Sequence, residues 1–541
     1  MLSGMDRNAG AGMRRYYADS SAFPASMPGT DTLAAALAEI VGAAHVLDDP
    51  DALALATADL FPFPAAPPAV RVVLPGSADE TARVVRAVTA AGCAVVARGA
   101  GLSYTGGMAC AVPAVVVDTA RLDSIAIRED DLYAVVGAGT SWQRLAERLD
   151  PLGLRTQLAG PISGAVSTVG GAVSQSVPGS MDGVLGVEAV LADGTVARTG
   201  AWSRAGGEPF LRHAGPDLTG VFIGDCGAFG VKTAVALRLV PKRPCAFASF
   251  AYADPAALVA DLLRLQRDGL VSRAMALDRG RAAEAGGVEA AEAAKVAAAV
   301  AGASGSALSA LRNVASMVKG RFDLAAARWS LHLTAEGASP PIAEAQIALA
   351  RAVCGAHARE IEDTVPRALH ARPFSIRGFV GVDGERWVPV HGMVAPSRAA
   401  RTLADIDAFL AGHADAMQAA GVRHSMLMSS SGAFVNIEPM FLWDDALDPL
   451  HLRHLSPKHR ERFGGRAERP AARALVATLR AGLRELFERH GAVHAQVARY
   501  YRHASRLDPG SRALLERVRH GLDPAGALNP GVLGLDAASG D

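Results

Sequence analysis

The stretch "RGAGLSYTGG", Arg98 to Gly107, most limits what this chain can become. Gly99 and Gly101 are spaced as in the dinucleotide fingerprint G-x-G-x-x-G, but Tyr104 stands where the third glycine belongs. The apolar run Ala114-Val115-Val116-Val117 follows and reads as a strand, so the motif is strand-loop-strand rather than strand-loop-helix. Glycine takes positive φ without penalty, so such a loop can turn several main-chain N–H groups toward one anion, phosphate being the natural guest. A plain tight connection between strands is the alternative.

Composition narrows the partners. Lys plus Arg and Asp plus Glu number 54 each, without a basic block, and aromatic residues make up 5%. Neither an electrostatic footprint nor a stacking platform for nucleic acid is present. Cys93, Cys110, Cys226, Cys245 and Cys354 are scattered, odd in number and never in C-x-x-C. That pattern points to a reducing compartment, without a disulfide framework or a zinc knuckle. No apolar stretch follows Arg14-Arg15, and residues 1–34 are expected as a disordered tail. No stretch has the length and apolarity of a membrane span. The expectation is a cytoplasmic protein with a small-molecule substrate.

The pattern along the chain predicts an α+β fold. A strand over 69–74 precedes Ser77-Ala78-Asp79-Glu80, a capping-box sequence opening a helix to about Ala91. Strands are predicted at 94–97, 114–118 and 133–137, then a helix from Ser141. Asp193-Gly194 between two apolar runs predicts a hairpin, and Val231–Val240 an alternating strand. Beyond Pro244, residues 255–320 are alanine-rich and read as helical. Strands are predicted at 328–333 and 374–380, a hairpin at Asp383-Gly384, and a strand pair between His424 and Leu442. A helix is predicted over 470–488.

Four stretches, in order, resemble the FAD-linked oxidases of the vanillyl-alcohol oxidase superfamily, closest to the D-lactate and glycolate dehydrogenase branch. They are the glycine loop, "GPISGAVSTVGGAVSQ" from Gly160, "DLTGVFIGDCGAFGVKTAVALRLVP" from Asp217, and "DPAGALNPG" from Asp523. The resemblance implies a two-part FAD-binding domain of the p-cresol methylhydroxylase (PCMH) type over 35–245. It further implies an α+β cap domain holding substrate over 246–504 and a returning segment over 505–541. It implies FAD on the main chain of Arg98, Gly99, Ala100, Gly101, Leu102, Ser103, Tyr104 and Gly106. Pro161, Ser163, Thr168, Gly170 and Gly171 would lie along the cofactor, with Gly227, Gly230, Val231 and Asn529. Some members tether FAD through a histidine in this loop. Leu102 fills that place, so FAD is expected to be non-covalent. Asp225-Cys226 departs from the Ser-Glu pair common in the family.

Flavin oxidation of a hydroxyl-bearing carbon needs a base for the hydroxyl proton and a group to position substrate. His391 lies in "RWVPVHGMV", and Asn436, Glu438 and Met440 alternate along one strand face. "HGAVHAQVARYYRH", on the last helix beside the cap, holds His494, Arg499 and Tyr500. Arg499 could grip a carboxylate bidentately, with His494 or His391 as base. Arg372 and Arg377 are weaker candidates. The branch's metal-binding strand is broken here, because His391-Gly392-Met393-Val394 lacks the acidic residue and second histidine. No metal is expected. Three readings stay open: oxidation of a small hydroxy acid or related alcohol, oxidation of a phenol through Tyr104, Tyr500 and Arg499, or flavin binding without turnover. Electron acceptor and oligomeric state are not legible.

Overall fold

A computed structural model describes residues 30–61, 69–109, 112–177, 181–286, 326–374, 380–431 and 433–535, with Ala298 and Leu324. The chain divides into two compact units: one runs to Val240 and includes the chain from Ala495 onward, and the other is Pro241–His494.

In the first unit, strands β1 (Val46–Leu47), β2 (Arg71–Val73), β3 (Ala94–Arg98) and β4 (Ala114–Asp118) form a sheet in the order β1-β2-β4-β3. β4 runs parallel to both β2 and β3. Val95, Val115 and Val117 pack into one apolar cluster and Val96 and Val116 into another. Cover on both faces explains the unbroken apolar run of β4. The helix Ala78–Ala90 joins β2 to β3. Ser77 Oγ accepts the Glu80 N–H at 3.1 Å, as the capping sequence requires, while Glu80 Oε2 reaches past Ser77 to the Gly76 N–H at 2.7 Å.

Helix Thr30–Val41 begins inside the segment expected as a tail. Its Leu33, Leu37 and Val41, four apart, are buried with Val84, Val85 and Val88 of the next long helix, and that burial orders it. Residues 1–29 lie outside the described residues.

The same unit carries an antiparallel sheet built from β5 (Ile125–Arg128), β6 (Tyr133–Gly137), β7 (Leu154–Thr156), β8 (Val184–Val190), β9 (Val196–Arg198) and β10 (Val231–Pro241). Its order is β5-β6-β10-β8-β9, with β7 also on β10. β8 and β9 are the predicted hairpin, and Gly194 in its turn has φ +81°.

The second unit is built on β11 (Cys245–Tyr252), β12 (Arg273–Asp278), β13 (Trp329–Glu336), β14 (Arg359–Ile361), β15 (Arg386–Pro389), β16 (Gly392–Val394), β17 (Val422–Ser430) and β18 (Val435–Trp443). The order is β14-β11-β13-β12-β17-β18-β15, with β16 also on β18. β12 corrects the expectation of continuous helix over 255–320. Helix Pro255–Arg267 is present, but "RAMALD" pairs with β13 and β17 as a strand. Sheet pairing on both sides outweighs the helical propensity of its alanines. Residues 287–297 and 299–323 lie outside the described residues. So do 375–379, on which most of the strand expected at 374–380 and Arg377 fall; Val380 forms only an isolated bridge to Arg386. The two sheets, one mixed and one antiparallel, with an antiparallel third in the other unit, make the fold α+β, as read from the sequence.

Candidate functional site

The glycine loop leaves β3 at Arg98 and has two halves of different character. Among the described residues, the main-chain N–H groups of Gly99, Ala100, Gly101, Leu102 and Ser103 meet no acceptor. Gly101 and Ser103 are nevertheless buried. A row of main-chain donors without acceptors is what an anion requires. In the second half the donors are taken. Thr105 and Gly107 N–H both donate to Ser103 Oγ at 3.3 Å, and Gly106 N–H donates to Asp59 Oδ2 at 3.0 Å. Asp59 thus holds the Gly106 amide. No motif marked Asp59 in the sequence.

Packing accounts for several glycines. A Cβ on Gly99 would overlap Thr168 Oγ1, and one on Gly101 would overlap the buried Arg98 guanidinium, whose Nη1 donates to Ala56 O at 2.7 Å. Thr168 caps the short helix Val169–Gln175 by accepting the Gly171 N–H at 3.2 Å. Gly170 lies so close to Ala138 that any side chain would collide with it, and Gly230 is hemmed by Phe222, Ala189 and Val190. Ser163 Oγ lies 2.6 Å from Ser167 Oγ in the turn opened by Pro161, whose carbonyl accepts the Gly164 N–H.

The "GDCGAFG" segment closes on the same helix. Gly224 and Cys226 N–H donate to Val173 O and Ser174 O. Cys226 Sγ accepts the Ala498 N–H at 3.2 Å, and burial pushes its thiol up to about 12, so it stays protonated. Asp225 pairs with Lys232 of β10. A lysine at a buried register of an alternating strand was the available sign of that pair.

The helix expected to carry Arg499 is corrected. The preceding helix ends at Arg489, and Gln496 and Ala498 have φ +49° and +41°, conformations no helix admits. The Arg499 main-chain N–H donates to Thr105 O at 3.0 Å. Its Nη1 donates to Gly106 O at 2.7 Å and its Nη2 to Asn529 Oδ1 at 2.8 Å and Pro530 O at 2.6 Å. The fork is committed to the protein's own chain. Asn529 in turn donates through Nδ2 to Cys226 O at 2.7 Å and Gly107 O at 3.2 Å. Tyr500 and Tyr501 are buried edge-to-face, ring centroids 4.9 Å apart, and Tyr104 is buried.

In the unit Pro241–His494, His391 is buried at the break between β15 and β16 rather than within one strand. Main-chain bonds between Met393 and Val493, at 2.9 and 3.0 Å, bring His494 beside it. His494 Nδ1 lies 2.7 Å from His391 O, and the two rings are edge-to-face at 6.4 Å. Because a carbonyl only accepts, Nδ1 carries the proton and the neutral ring's lone pair sits on Nε2. Glu438 is the acceptor for Asn436 Nδ2 at 3.4 Å. Burial raises its carboxyl above the usual range, against the pull of Arg281 and Asn436. Among the described residues, no group of three or more His, Cys, Asp or Glu is placed to hold a metal ion. No helix among them is long and apolar enough to cross a membrane.

The acceptor-free amides lie within a stretch that matches a known cofactor-binding domain. Residues 69–200 match the FAD binding domain family. The chain is similar to the glycolate oxidase subunit GlcD of Bacillus subtilis (strain 168), 30% identical over 180 residues covering 32% of this chain and 37% of that protein. It is similar to a D-lactate dehydrogenase of Archaeoglobus fulgidus, 26% identical over 202 residues, covering 34% and 43%. The matches thus span less than half the length of these relatives. Its fold is that of p-cresol methylhydroxylase, with TM-score 0.70 at 17% identity over 95% of this chain and 98% of that one. A 4-ethylphenol oxidase from Gulosibacter chungangensis gives the same score at 19% identity, covering 94% and 98%. The resemblance read from the four motifs stands for the fold and for the FAD domain.

The residues present fit FAD. A diphosphate needs donors, and the row Gly99–Ser103 offers them without a competing acceptor among the described residues.

Proposed function

We propose that the chain is an FAD-dependent oxidoreductase acting on the hydroxyl-bearing carbon of a small 2-hydroxy acid or related alcohol. When bound, FAD supplies the hydride acceptor. The N–H groups of Gly99–Ser103 hold its diphosphate, and the small residues at Gly170, Gly171, Gly227, Gly230 and Val231 lie along the remainder. Leu102 offers no nucleophile, so the cofactor is dissociable. The unit Pro241–His494 holds substrate. His494 takes the substrate's hydroxyl proton on Nε2, because its Nδ1–H is locked to the carbonyl of His391. The observation that carries the reading is the row of acceptor-free amides within the matched FAD domain. The sequence relatives, named for glycolate and D-lactate, support the substrate class.

A second reading, phenol oxidation, is favoured by one observation. Tyr500 and Tyr501 form a buried aromatic pair, while Arg499, named for the clamp in both readings, donates to main-chain carbonyls and Asn529. One experiment separates the readings. Purified yellow protein is mixed, oxygen excluded, with D-lactate, glycolate or a 4-alkylphenol, and the visible flavin band is followed. Bleaching by a hydroxy acid supports the first reading, and bleaching by the phenol supports the second. Bleaching by neither leaves a flavin-binding protein without turnover on these substrates.

A further inference from the structure

Three successive carbonyls of the glycine loop are held by one device. Thr105 O accepts the Arg499 main-chain N–H, Gly106 O accepts Arg499 Nη1, and Gly107 O accepts Asn529 Nδ2. Arg499 Nη2 also donates to Asn529 Oδ1, so the two side chains are one clasp. Asn529 extends it to Cys226 O and, through its main-chain N–H, to Val95 O at 2.8 Å. The clasp thereby ties β3, the glycine loop, the "GDCGAFG" segment and the chain's last turns.

Backbone strain converges on the same place. Seven non-glycine residues among those described have positive φ, and six belong here: Ser176, Cys226, Gln496, Ala498, Asn529 and Leu533. Gln496 N–H donates to Gln175 O, Ala498 N–H to Cys226 Sγ, and Leu533 N–H to Ala498 O. Such conformations persist only where surrounding contacts over-determine them, and they gather at ligand clamps.

We infer that Arg499, acting with Asn529, is a positioning residue that presets the glycine loop for FAD. The physical reason is the division of the loop. Pinning the carbonyls of Thr105, Gly106 and Gly107 from one side, and the amides of Gly106 and Gly107 on Asp59 and Ser103, fixes the second half as an anchor. The first half then holds its amides in place without internal partners. A loop already ordered spares the ordering entropy that FAD binding would otherwise lose. The inference rests on the FAD reading above.

The test is FAD affinity of protein freed of flavin, read by quenching of flavin fluorescence well below the melting temperature. Arg499→Met and Asn529→Gly each weaken FAD by about tenfold or more, since a loop populating its competent state less often binds proportionally more weakly. The double variant is no weaker than the worse single, because both remove one clasp. Arg499→Lys recovers part of the loss, a point charge replacing a fork. Asn529→Gly retains easy access to positive φ, so it carries the test if Arg499→Met does not fold. Variants that melt lower but bind FAD within about twofold of the parent overturn the inference. So does a raised KM for the reducing substrate with unchanged FAD affinity, which would make Arg499 a substrate ligand. A parent chain that binds no FAD overturns the functional reading itself.

Discussion

Lys232 Nζ lies 2.5 Å from Asp225 Oδ1, with 2% and 0% of the two side chains exposed. Two opposite charges shut away from water stabilise one another only as a pair. Phe229 N–H also donates to Asp225 Oδ2, at 3.3 Å, and Lys232 lies 6.0 Å from the centre of the Phe222 ring. Asp225 is thus accompanied by a lysine on β10.

Lys232→Met is expected to destabilise the protein by about 3–5 kcal/mol in urea unfolding, because it leaves a buried carboxyl without its partner. Adding Asp225→Asn removes the stranded charge and restores part of the loss. Burial already raises the Asp225 carboxyl, against the pull of Lys232. In the single variant the folded state therefore holds its proton to higher pH than the unfolded chain does. Its stability falls as pH rises above the unfolded carboxyl's value, by up to about 1.4 kcal/mol per unit. The deficit against the parent is larger at neutral pH than under mild acid, and an equal deficit at both would show that Asp225 remains charged.

Gly99→Ala places a methyl against Thr168 Oγ1. The expected result is FAD affinity lower by about tenfold, since the acceptor-free amides shift with the backbone. Thr168→Ala in the same protein relieves the overlap and recovers affinity, at a cost of about 1 kcal/mol for the lost helix cap. Flavin titration and thermal melting separate the two effects.

Two buried histidines set an acid limit for the unit Pro241–His494. Burial lowers His332, held between Ser249 Oγ and Ser330 Oγ, to about 3. Burial, with Arg386 and His454 nearby, lowers His451 to about 3 as well. Each contribution is fully present above the unfolded value near 6.5 and is lost as pH falls toward 3, because the unfolded chain binds the proton that the folded one refuses. The expected slope is about 1.4 kcal/mol per pH unit for each histidine. Urea unfolding at several pH values between 7 and 4 reads it. His451→Leu removes one histidine's share, and an unchanged slope in that variant would refute the assignment.

His494→Asn keeps a polar side chain but removes the basic Nε2. The rate of anaerobic flavin reduction by substrate is expected to fall by about 10²–10⁴-fold, with FAD affinity unaltered. Stopped-flow reduction and flavin titration on one preparation test both halves.

Heat-denatured holoprotein is expected to release all its flavin into the filtrate, as Leu102 occupies the loop position of a tethering histidine. Yellow colour retained by the precipitate after washing would indicate a covalent bond elsewhere.

Local signals survived into the structure. Ser77 and Glu80 cap a helix, Asp193-Gly194 turns a hairpin, and the run Ala114-Val115-Val116-Val117 is a doubly covered strand. Each is decided by residues within a few positions of one another. "RAMALD" has the local pattern of a helix, but its strand identity comes from β13 and β17, more than fifty residues away. "HGAVHAQVARYYRH" departs from helix for the same reason: its positive φ values go with bonds to Gln175, Cys226 and Leu533.

The sequence alone thus determined an FAD-type glycine loop, its flanking strands and the α+β class, because turn chemistry and apolar periodicity act over short range. Only the tertiary structure decided that the Arg499 side chain bonds to the Gly106 carbonyl and to Asn529, and that His494 Nδ1 meets the His391 carbonyl. The two bonds to those carbonyls span about a hundred and nearly four hundred residues, and partners so distant in sequence leave no local pattern to read.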